Sequence, residues 1–262
     1  MKNALTIAGS DSCGGAGIQA DLKTFAANGV YGMSVITAVT AQNTTGVLAA
    51  EDVSADLIAK QAEAVFEDIE VHSVKIGMLS SIETITTIAC VLKKYNPLNI
   101  VLDPVMISKS GYSLLKPDAI ETLQNLLLPK ALIVTPNIPE AEVLSEYKIH
   151  DISGMKRAAR KIHKSGPVYV LIKGGHLLSD PIDLLFDGKA FTYYKSKRII
   201  TKNTHGTGCT LSSAIAANLA NGLHIHDAIA KAKTYVQSAI KHSLSIGKGV
   251  GPTNHFFFLY RT

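Results

Sequence analysis

One strand–helix–strand unit near the start of the chain decides the fold. Residues 4–40 read ALTIAGSDSCGGAGIQADLKTFAANGVYGMSVITAVT. Two apolar, β-rich runs, Ala4–Ala8 and Ser34–Thr40, flank a helical pattern over residues 15–28 that opens on glycines. Because a helix is the usual connection between parallel strands, this unit predicts neighbouring strands of a parallel sheet.

The same alternation continues along the rest of the chain. Further strands are predicted at Ser73–Ile76, Asn99–Leu102, Leu132–Thr135 and Val168–Ile172. Further helices are predicted at about residues 54–69, 81–95, 117–127, 138–147, 152–165, 208–221 and 226–244. Near Ile182–Tyr194 the pattern changes to two short strands around Asp187-Gly188, a dipeptide that favours a tight hairpin. We therefore predict an α/β fold with a doubly wound, mostly parallel sheet and helices on both faces, in a single domain over residues 1–262.

Composition excludes several classes of protein. Of the 262 residues 47% are hydrophobic and 18% are charged, which allows a large core and argues against disorder. No apolar stretch approaches the ~20 residues of a membrane helix, so neither a membrane partner nor a secretory signal is expected. The three cysteines, Cys13, Cys90 and Cys209, are far apart and form no C-x-x-C pair. A reducing cytoplasm is the expected location.

The net charge of +5 raises the question of nucleic acid. The densest basic cluster lies along one side of a predicted helix and comprises Lys156, Arg157, Arg160, Lys161 and Lys164. Other basic residues are scattered and tryptophan is absent, whereas nucleic-acid sites combine clustered charge with aromatic stacking surfaces. We predict no nucleic-acid partner, since a solvated helix face and a small acidic substrate account equally well for the charge.

The glycines of the first unit match a dinucleotide fingerprint. Gly15-Ala16-Gly17-Ile18-Gln19-Ala20 satisfies G-x-G-x-x-[GA] between a strand and a helix. The fingerprint also requires an acidic residue about 20 positions later, and the strand that ends at Thr40 has none. A dehydrogenase is therefore disfavoured. The glycines either let the backbone come close to another kind of ligand or form a tight turn with no ligand.

Ligands of doubly wound sheets bind beyond the carboxyl ends of the strands. The segments that leave the predicted strands are residues 9–17, 41–45, 77–79, 103–106, 136–140 and 173–176. Most of the unusual polar residues lie there, although helix caps and turn glycines occur at such places for structural reasons alone. We expect the functional site at this edge of the sheet.

A second glycine-rich segment, His205-Gly206-Thr207-Gly208-Cys209-Thr210, precedes the predicted helix 208–221. Glycines at a helix start expose unpaired N–H groups at the positive end of the helix dipole, which suits an anion. A plain N-cap is the alternative. Cys209 lies in the first turn, where the pKa of a thiol tends to fall, so we expect a proton acceptor or a polar contact there. An inert, buried cysteine is the competing interpretation.

Oxygen ligands and a lysine follow three neighbouring strands. Asp103 follows one predicted strand, Asn137 and Glu140 follow the next, and Lys173 begins Lys173-Gly174-Gly175-His176 after a third. Mg²⁺ prefers carboxylate oxygens and takes one or two of them together with phosphate oxygens. Helix capping by the acids and a solvated lysine are the structural alternatives.

Taken together, the motifs resemble one family. They are Ala8-Gly9-Ser10-Asp11, Gly14-Gly15-Ala16-Gly17-Ile18-Gln19-Ala20-Asp21, Thr40-Ala41-Gln42-Asn43-Thr44, Lys75-Ile76-Gly77-Met78, Asp103-Pro104-Val105-Met106, Pro136-Asn137-Ile138-Pro139-Glu140-Ala141, Lys173-Gly174-Gly175-His176 and Gly206-Thr207-Gly208-Cys209. In this order they are similar to the hydroxymethylpyrimidine/phosphomethylpyrimidine kinases of thiamine biosynthesis, which are ribokinase-like enzymes. The resemblance covers nearly the whole chain.

The resemblance implies an activity and a set of roles. The activity is phosphorylation by ATP, with Mg²⁺, of 4-amino-5-hydroxymethyl-2-methylpyrimidine and then of its monophosphate. The residues implied at the transferring phosphoryl group are Gly206, Thr207, Gly208 and Cys209, the last standing where most ribokinase relatives have a catalytic aspartate. Asp103 and Glu140 are implied at the metal, and Lys173 and Asn137 at the ATP phosphates. The residues implied in substrate binding are Gln42, Gly9, Asp21, Met78 and Val105.

The chemistry of Gln42 agrees with its implied role. Its amide offers an acceptor and a donor side by side, which match the exocyclic amine and ring nitrogen of an aminopyrimidine. Pyridoxal lacks that edge, although pyridoxal kinase of the same family is the nearest alternative function. Met78 suits either packing on a flat ring or the core. A nucleotide-binding sensor without turnover is a further alternative, and the resemblance also implies a homodimer.

Overall fold

The structure is a computed structural model that describes residues 1–108, 111–175 and 181–259. The strands are β1 (Lys2–Asp11), β2 (Val30–Asn43), β3 (Gly46–Asp52), β4 (Ser73–Ile76), β5 (Ile100–Leu102), β6 (Ile133–Val134), β7 (Tyr169–Ile172), β8 (Ile182–Phe186) and β9 (Phe191–Lys195). The helices are α1 (Gly17–Ala27), α2 (Ala55–Asp68), α3 (Ile82–Tyr95), α4 (Ile120–Leu126), α5 (Ile138–Ser145), α6 (Ile152–His163), α7 (Thr207–Ala220) and α8 (Ile225–Lys241). His176, the last residue of one quoted motif, lies outside the described residues.

The described strands form one sheet in the order β3-β2-β1-β4-β5-β6-β7-β8-β9. The six strands from β2 to β7 in that order pair in parallel. β3 at one edge and β8 and β9 at the other are antiparallel. The direction of winding reverses between β1 and β4, which makes the carboxyl ends of these strands the expected place for a ligand. The predicted doubly wound, mostly parallel sheet is confirmed.

Each face of the sheet carries a core of its own, because successive side chains of a strand point to opposite faces. Leu5 of β1 packs on the face covered by α2 to α6, in one cluster of buried apolar residues. Its neighbour Ala4 packs on the other face, where α1, α7 and α8 supply the second cluster. Helices cover both faces, as predicted.

The two hairpins differ in how well the sequence indicates them. Asp187-Gly188 lies between β8 and β9 as expected, and Gly188 has a positive φ of 89°. The hairpin of β2 and β3 was not expected: residues 41–45 were predicted to leave the sheet, whereas β2 continues to Asn43 and returns as β3. β3 is almost entirely exposed, so its sequence lacks the apolar alternation of a half-buried strand.

Within the described residues, no helix is both long and apolar enough to span a bilayer.

Candidate active site

A cleft of about 870 Å³ lies over the carboxyl ends of the parallel strands. Twelve of the predicted site residues line it: Gly9, Gln42, Met78, Asp103, Val105, Asn137, Glu140, Lys173, Gly206, Thr207, Gly208 and Cys209. They come from loops that are far apart in sequence, and the parallel sheet brings these loops to one edge. Asp21 is the exception, since its side chain is fully buried and is not part of the lining.

The start of α7 has the backbone geometry that the predicted anion site requires. Gly206 precedes the helix with φ 77° and accepts the N–H of Thr210 at 2.8 Å. Among the described residues, no acceptor pairs with the N–H groups of Gly208 and Cys209. Unpaired N–H groups at the positive end of a helix dipole attract a phosphate or another anion.

Glycines let the loop after β1 approach α7 directly. A Cβ on Gly206 would lie 1.8 Å from the carbonyl oxygen of Gly15, and a Cβ on Gly17 would lie 2.2 Å from that of Gly9. Neither position has room for a side chain. Gly9 is also tight, because a Cβ there would be 2.9 Å from the sulfur of Met78. The glycines therefore allow three close contacts: between the two glycine-rich segments at Gly206, within the first segment at Gly17, and with the Met78 side chain at Gly9.

A buried ion pair lies beside the start of α7. Lys173 Nζ lies 2.8 Å from Asp103 Oδ1 and 4.0 Å from Glu140 Oε2. Asp103 also accepts hydrogen bonds from Thr135 Oγ1 at 3.1 Å and from Ser212 Oγ of α7 at 3.3 Å. Burial opposes ionisation of Asp103, but the charges of Lys173 and Lys75 outweigh it and hold its pKa below the ordinary value. Asp103 is therefore a carboxylate at neutral pH.

Asn137 and Glu140 cap α5 as well as lining the cleft. The Asn137 side chain accepts the N–H of Glu140 at 2.9 Å, and Glu140 Oε2 accepts the N–H of Asn137 at 2.8 Å. This reciprocal pair is a capping box, so the structural alternative of helix capping is confirmed for Glu140. Burial raises the pKa of Glu140 to about 7 despite the nearby charge of Lys173. Glu140 thus titrates near neutrality and responds to any added positive charge.

The expected lowering of the Cys209 pKa is wrong. Burial in the cleft wall raises the pKa of this thiol to about 11, and the positive charge of Lys75 only partly offsets the effect. The helix dipole does not compensate for the loss of water around the sulfur. At neutral pH Cys209 is therefore a neutral thiol, suited to a polar contact and not to accepting a proton as a thiolate.

Asp21 supports the floor of the cleft and does not face its interior, which corrects the expectation that it contacts substrate directly. Its carboxylate accepts hydrogen bonds from Thr6 Oγ1 at 2.6 Å, Ser213 Oγ at 2.6 Å and Lys75 Nζ at 2.8 Å. Burial disfavours the charge of Lys75, but Asp21 raises the pKa of Lys75 above its ordinary value. The pair places a fixed positive charge beneath Cys209 and Asp103.

Gln42 belongs to a chain of polar contacts in the same cleft. Its amide Nε2 lies 3.3 Å from His205 Nε2, and its Oε1 lies 3.4 Å from Thr40 Oγ1. His205 Nε2 lies 2.8 Å from Asp11 Oδ2. The Asp11 carboxylate also accepts hydrogen bonds from the N–H groups of Cys13, Gly15 and Ala16 at 2.8–3.0 Å, in the turn that precedes α1.

Sequence reasoning gave no role to Lys75, His205 or Asp11, although each stands in a quoted motif. Their partners are 54 to 194 residues away along the chain. Only the fold shows that Lys75 meets Asp21 and that His205 meets both Asp11 and Gln42. The available signal was the presence of charged residues inside otherwise apolar or glycine-rich segments.

Two features of the cleft define a class of protein. Unpaired N–H groups at α7 face a carboxylate–lysine pair, and transfer of a phosphoryl group depends on such positioning and charge stabilisation. The sheet order and helix layers are those of the ribokinase-like kinases, with which the chain shares its fold. It is a kinase of that class.

Comparison with known proteins identifies the family. A sequence model described as phosphomethylpyrimidine kinase matches residues 11–254. Hydroxymethylpyrimidine/phosphomethylpyrimidine kinase of Rhizobium meliloti is 53% identical over 97% of this chain and 96% of its own length. The thiamine biosynthesis bifunctional protein ThiED of Geobacter sulfurreducens is 53% identical over 96% of this chain, which spans 51% of that longer protein. The chain belongs to the phosphomethylpyrimidine kinase family.

Solved structures agree with this assignment. Phosphomethylpyrimidine kinase from Clostridium difficile 630 is 56% identical, with a TM-score of 0.83 over 92% of this chain and 100% of that chain. Pyridoxal kinase from Staphylococcus aureus, solved in complex with AMP-PCP and pyridoxal, is 38% identical, with a TM-score of 0.91 over 99% of this chain and 95% of that chain. Similarity of fold alone therefore does not distinguish a pyrimidine substrate from pyridoxal.

Proposed function

We propose that the chain transfers the γ-phosphoryl group of ATP to the hydroxymethyl group of 4-amino-5-hydroxymethyl-2-methylpyrimidine, and then phosphorylates the resulting monophosphate. The observation that carries the proposal is the presence of Gln42 and the α7 anion site in one cleft. Gln42 offers the donor and acceptor that an aminopyrimidine edge requires. The anion site suits a phosphoryl group in transit.

The residues of the cleft divide the chemistry between them. The N–H groups of Gly208 and Cys209 stabilise charge on the equatorial oxygens of the transferring group, where phosphoryl transfer concentrates it. Lys173 and Asn137 hold the phosphates of ATP. In a loose transition state the hydroxyl proton leaves late and passes to an oxygen of the transferred phosphoryl group, so the neutral thiol of Cys209 serves as a polar contact beside the acceptor oxygen. Gln42, Gly9, Met78 and Val105 bind the ring, and Asp21 acts through Lys75.

The cleft fits a Mg²⁺ ion. Asp103 and Glu140 supply hard oxygen ligands side by side, and Mg²⁺ takes one or two protein carboxylates together with phosphate oxygens. Burial raises the pKa of Glu140 to about 7, so this carboxyl gains most from a neighbouring cation. We assign Asp103 and Glu140 as the residues that hold the ion. When bound, Mg²⁺ neutralises charge on the phosphates of the nucleotide.

Two further properties belong to the same proposal. The three cysteines Cys13, Cys90 and Cys209 are free thiols, which accords with a reducing cytoplasm. A homodimer is proposed from the family resemblance alone.

Pyridoxal kinase is the second candidate function. It is favoured by the higher TM-score of the pyridoxal kinase structure, 0.91 against 0.83. It is disfavoured by Gln42, because pyridoxal has no amine–ring nitrogen edge for the amide to bind. Sequence identity also favours the pyrimidine kinase, because the phosphomethylpyrimidine kinase structure is 56% identical to this chain and the pyridoxal kinase structure is 38% identical.

The test is an assay of the full chain with ATP and Mg²⁺ and with each alcohol in turn. We expect ATP consumption to depend on added alcohol, with two phosphates incorporated successively into the pyrimidine. The ratio of kcat/KM for the pyrimidine to that for pyridoxal should exceed tenfold. A ratio below one would assign the chain to pyridoxal. ATP binding without alcohol-dependent turnover would instead indicate a sensor.

A further inference from the structure

We propose that Thr253 and His255 are positioning residues for phosphoryl transfer: through Thr210 they hold the first turn of α7, so that its unpaired amide groups stay in place for the transferring group. Both belong to a stretch near the end of the chain, residues 249–255, which is outside the cleft lining. The inference rests on the proposed function and extends it to residues that do not touch the substrates.

The helix α7 lacks the side chain that usually closes a helix N-terminus. Most helices are preceded by Ser, Thr, Asp or Asn, whose side chain accepts an N–H from the second or third residue of the helix. Gly206 stands at that position and has no side chain to offer. In α7 the second and third residues are Gly208 and Cys209, so a capping side chain would occupy the amide groups that a phosphoryl group needs. The first turn of α7 therefore needs another support.

The 249–255 segment supports the chain that enters α7 through the main chain. The N–H of His205 donates to the carbonyl of Gly251 at 3.0 Å, and the carbonyl of His205 accepts the N–H of Thr253 at 3.3 Å. The two stretches pair in parallel at His205 and Pro252, as neighbouring strands do. Backbone hydrogen bonds thus fix the chain just before the helix begins.

Two side chains of the segment hold the first turn itself. Thr210 Oγ1 lies 3.1 Å from His255 Nε2 and 3.3 Å from Thr253 Oγ1, and all three residues are buried. The Thr210 hydroxyl donates to the carbonyl of Gly206 at 2.8 Å, which leaves its oxygen free to accept. Both contacts therefore act through Thr210 on the residue that opens the helix.

The protonation state of His255 agrees with this arrangement. Burial, together with the positive charge of Lys23, lowers the pKa of His255 to about 4, so the imidazole is neutral at pH 7 and carries one hydrogen. Since Thr210 gives its own hydrogen to Gly206, it accepts from His255, which places the imidazole hydrogen on Nε2. The second acceptor position of Thr210 Oγ1 suits the hydroxyl of Thr253.

The segment is anchored on two sides. Thr44, directly after β2, accepts the N–H of Gly249 with its hydroxyl at 3.1 Å and the N–H of Val250 with its carbonyl at 2.8 Å. On the other side, the N–H of Asn254 donates to the carbonyl of Ala239 in α8 at 3.0 Å. Because the sheet and α8 fix the segment, the segment can fix α7 relative to the rest of the cleft.

The effect on catalysis should lie in the transition state. Phosphoryl transfer relies on donors that are in position before charge develops, so movement of the first turn lowers the rate more than it lowers affinity for the ground state. We expect His255→Leu to lower kcat at least about tenfold and Thr253→Val to lower it about three- to tenfold. KM for ATP should change less than about twofold.

A mimic of the transferring group gives a readout that a merely structural role would not change. Calorimetry of the full chain measures Kd for ADP with Mg²⁺, in the absence and in the presence of aluminium fluoride, which takes the place of the phosphoryl group. The wild type should bind ADP more tightly with the fluoride. The ratio of the two Kd values should fall in His255→Leu and Thr253→Val by about the same factor as kcat.

Two further variants are matched controls. His255→Gln keeps a side-chain N–H donor and should restore most of kcat and of the Kd ratio. Tyr235→Phe removes the 2.9 Å hydrogen bond from the Tyr235 hydroxyl to the carbonyl of His255, in the same segment but not at Thr210, and should leave both quantities nearly unchanged. If His255→Leu does not fold, Thr253→Val decides, since it replaces a hydroxyl by a methyl group.

The outcomes are distinct. A wild-type Kd ratio near one overturns the inference, and so does an unchanged kcat and ratio in both His255→Leu and Thr253→Val. Equal loss of affinity for ADP with and without the fluoride, or a loss in Tyr235→Phe as large as in His255→Leu, also overturns it. The ratio needs no acceptor alcohol. The expected pattern in a chain that does not phosphorylate the pyrimidine would therefore support the inference and overturn the proposed function.

Discussion

The carbonyl oxygen of Gly15 lies where a side chain at position 206 would begin: a Cβ on Gly206 would be 1.8 Å from it. Gly206 also has a positive φ of 77°, which L-residues rarely adopt. Since both segments form the cleft, we expect Gly206→Ala to displace α7 from the loop after β1. The expected results are a loss of at least about 2 kcal/mol in unfolding free energy and a fall in kcat.

Gly222→Ala is the matched control for this prediction. Gly222 has φ 84°, but a Cβ there meets no atom within 4 Å. Gly222→Ala should therefore lose stability through the unfavourable positive φ but not through a steric clash. Denaturant unfolding and steady-state kinetics of both variants measure the difference. Equal effects on stability and kcat would contradict a role for the contact between Gly15 and Gly206.

Cys209→Ala should lower kcat by about 10- to 100-fold, the effect of losing one polar contact at the reacting group, with little change in ATP affinity. Because burial raises the pKa of Cys209 to about 11, its ionisation should contribute no step to the pH–rate profile between pH 6 and about 9. Cys209→Ser should retain part of the activity, and Cys90→Ala on the exposed face of α3 should retain all of it. A thiol-dependent step near pH 7 would contradict the neutral-thiol assignment.

Gln42→Ala should raise KM for the pyrimidine at least about tenfold, because the ring edge loses two hydrogen bonds, and should leave KM for ATP nearly unchanged. Gln124→Ala is a suitable control, since it also removes one side-chain hydrogen bond, to Leu144, but outside the cleft lining. Initial rates with each substrate varied in turn provide the measurement. Equal increases in both KM values would argue against recognition of the ring by Gln42.

Glu140 should make folding less favourable as pH rises. Its folded pKa of about 7 exceeds the unfolded value of 4.5, so between these pH values the folded state binds the extra proton. The unfolding free energy of the wild type, relative to Glu140→Gln, should therefore decrease from pH 4.5 to 7 and stay constant above. Urea unfolding across this range, without Mg²⁺, tests the sign.

Glu142→Gln, on the same helix, supplies the opposite control. Hydrogen bonds from the Ile149 N–H and from Lys148 lower the pKa of Glu142, so its contribution to stability is present above pH 4.5 and is lost as pH falls. The two variants should differ in the sign of their slopes. Parallel slopes would contradict a raised pKa for Glu140.

The features that the sequence predicts best are those that depend on hydrophobic periodicity or on the position of a residue at the end of a strand. Asp103, Asn137, Glu140 and Lys173 were assigned to one edge because the carboxyl ends of parallel strands meet there, and the cleft contains all four. The hairpin of β3 was missed because an exposed edge strand with acidic residues has no alternation to detect.

The ionisation states and the partners of buried side chains were harder to predict from the sequence. The helix start at Cys209 indicates a low pKa, but the degree of burial that reverses it depends on the packing of the whole cleft. Asp21 stands in a glycine-rich motif, yet its partners Thr6, Lys75 and Ser213 come from two strands and a helix. Contacts of this kind follow only from the three-dimensional arrangement.

His205 joins segments from opposite ends of the chain. Its ring contacts Asp11 at the end of β1, and its backbone pairs with Gly251 and Thr253. A nascent polypeptide therefore cannot assemble this junction until residues beyond 250 have left the ribosome. During translation the early strands are made long before this junction can form, so we expect a chain that stops short of residue 250 to lack the link between β1 and the start of α7.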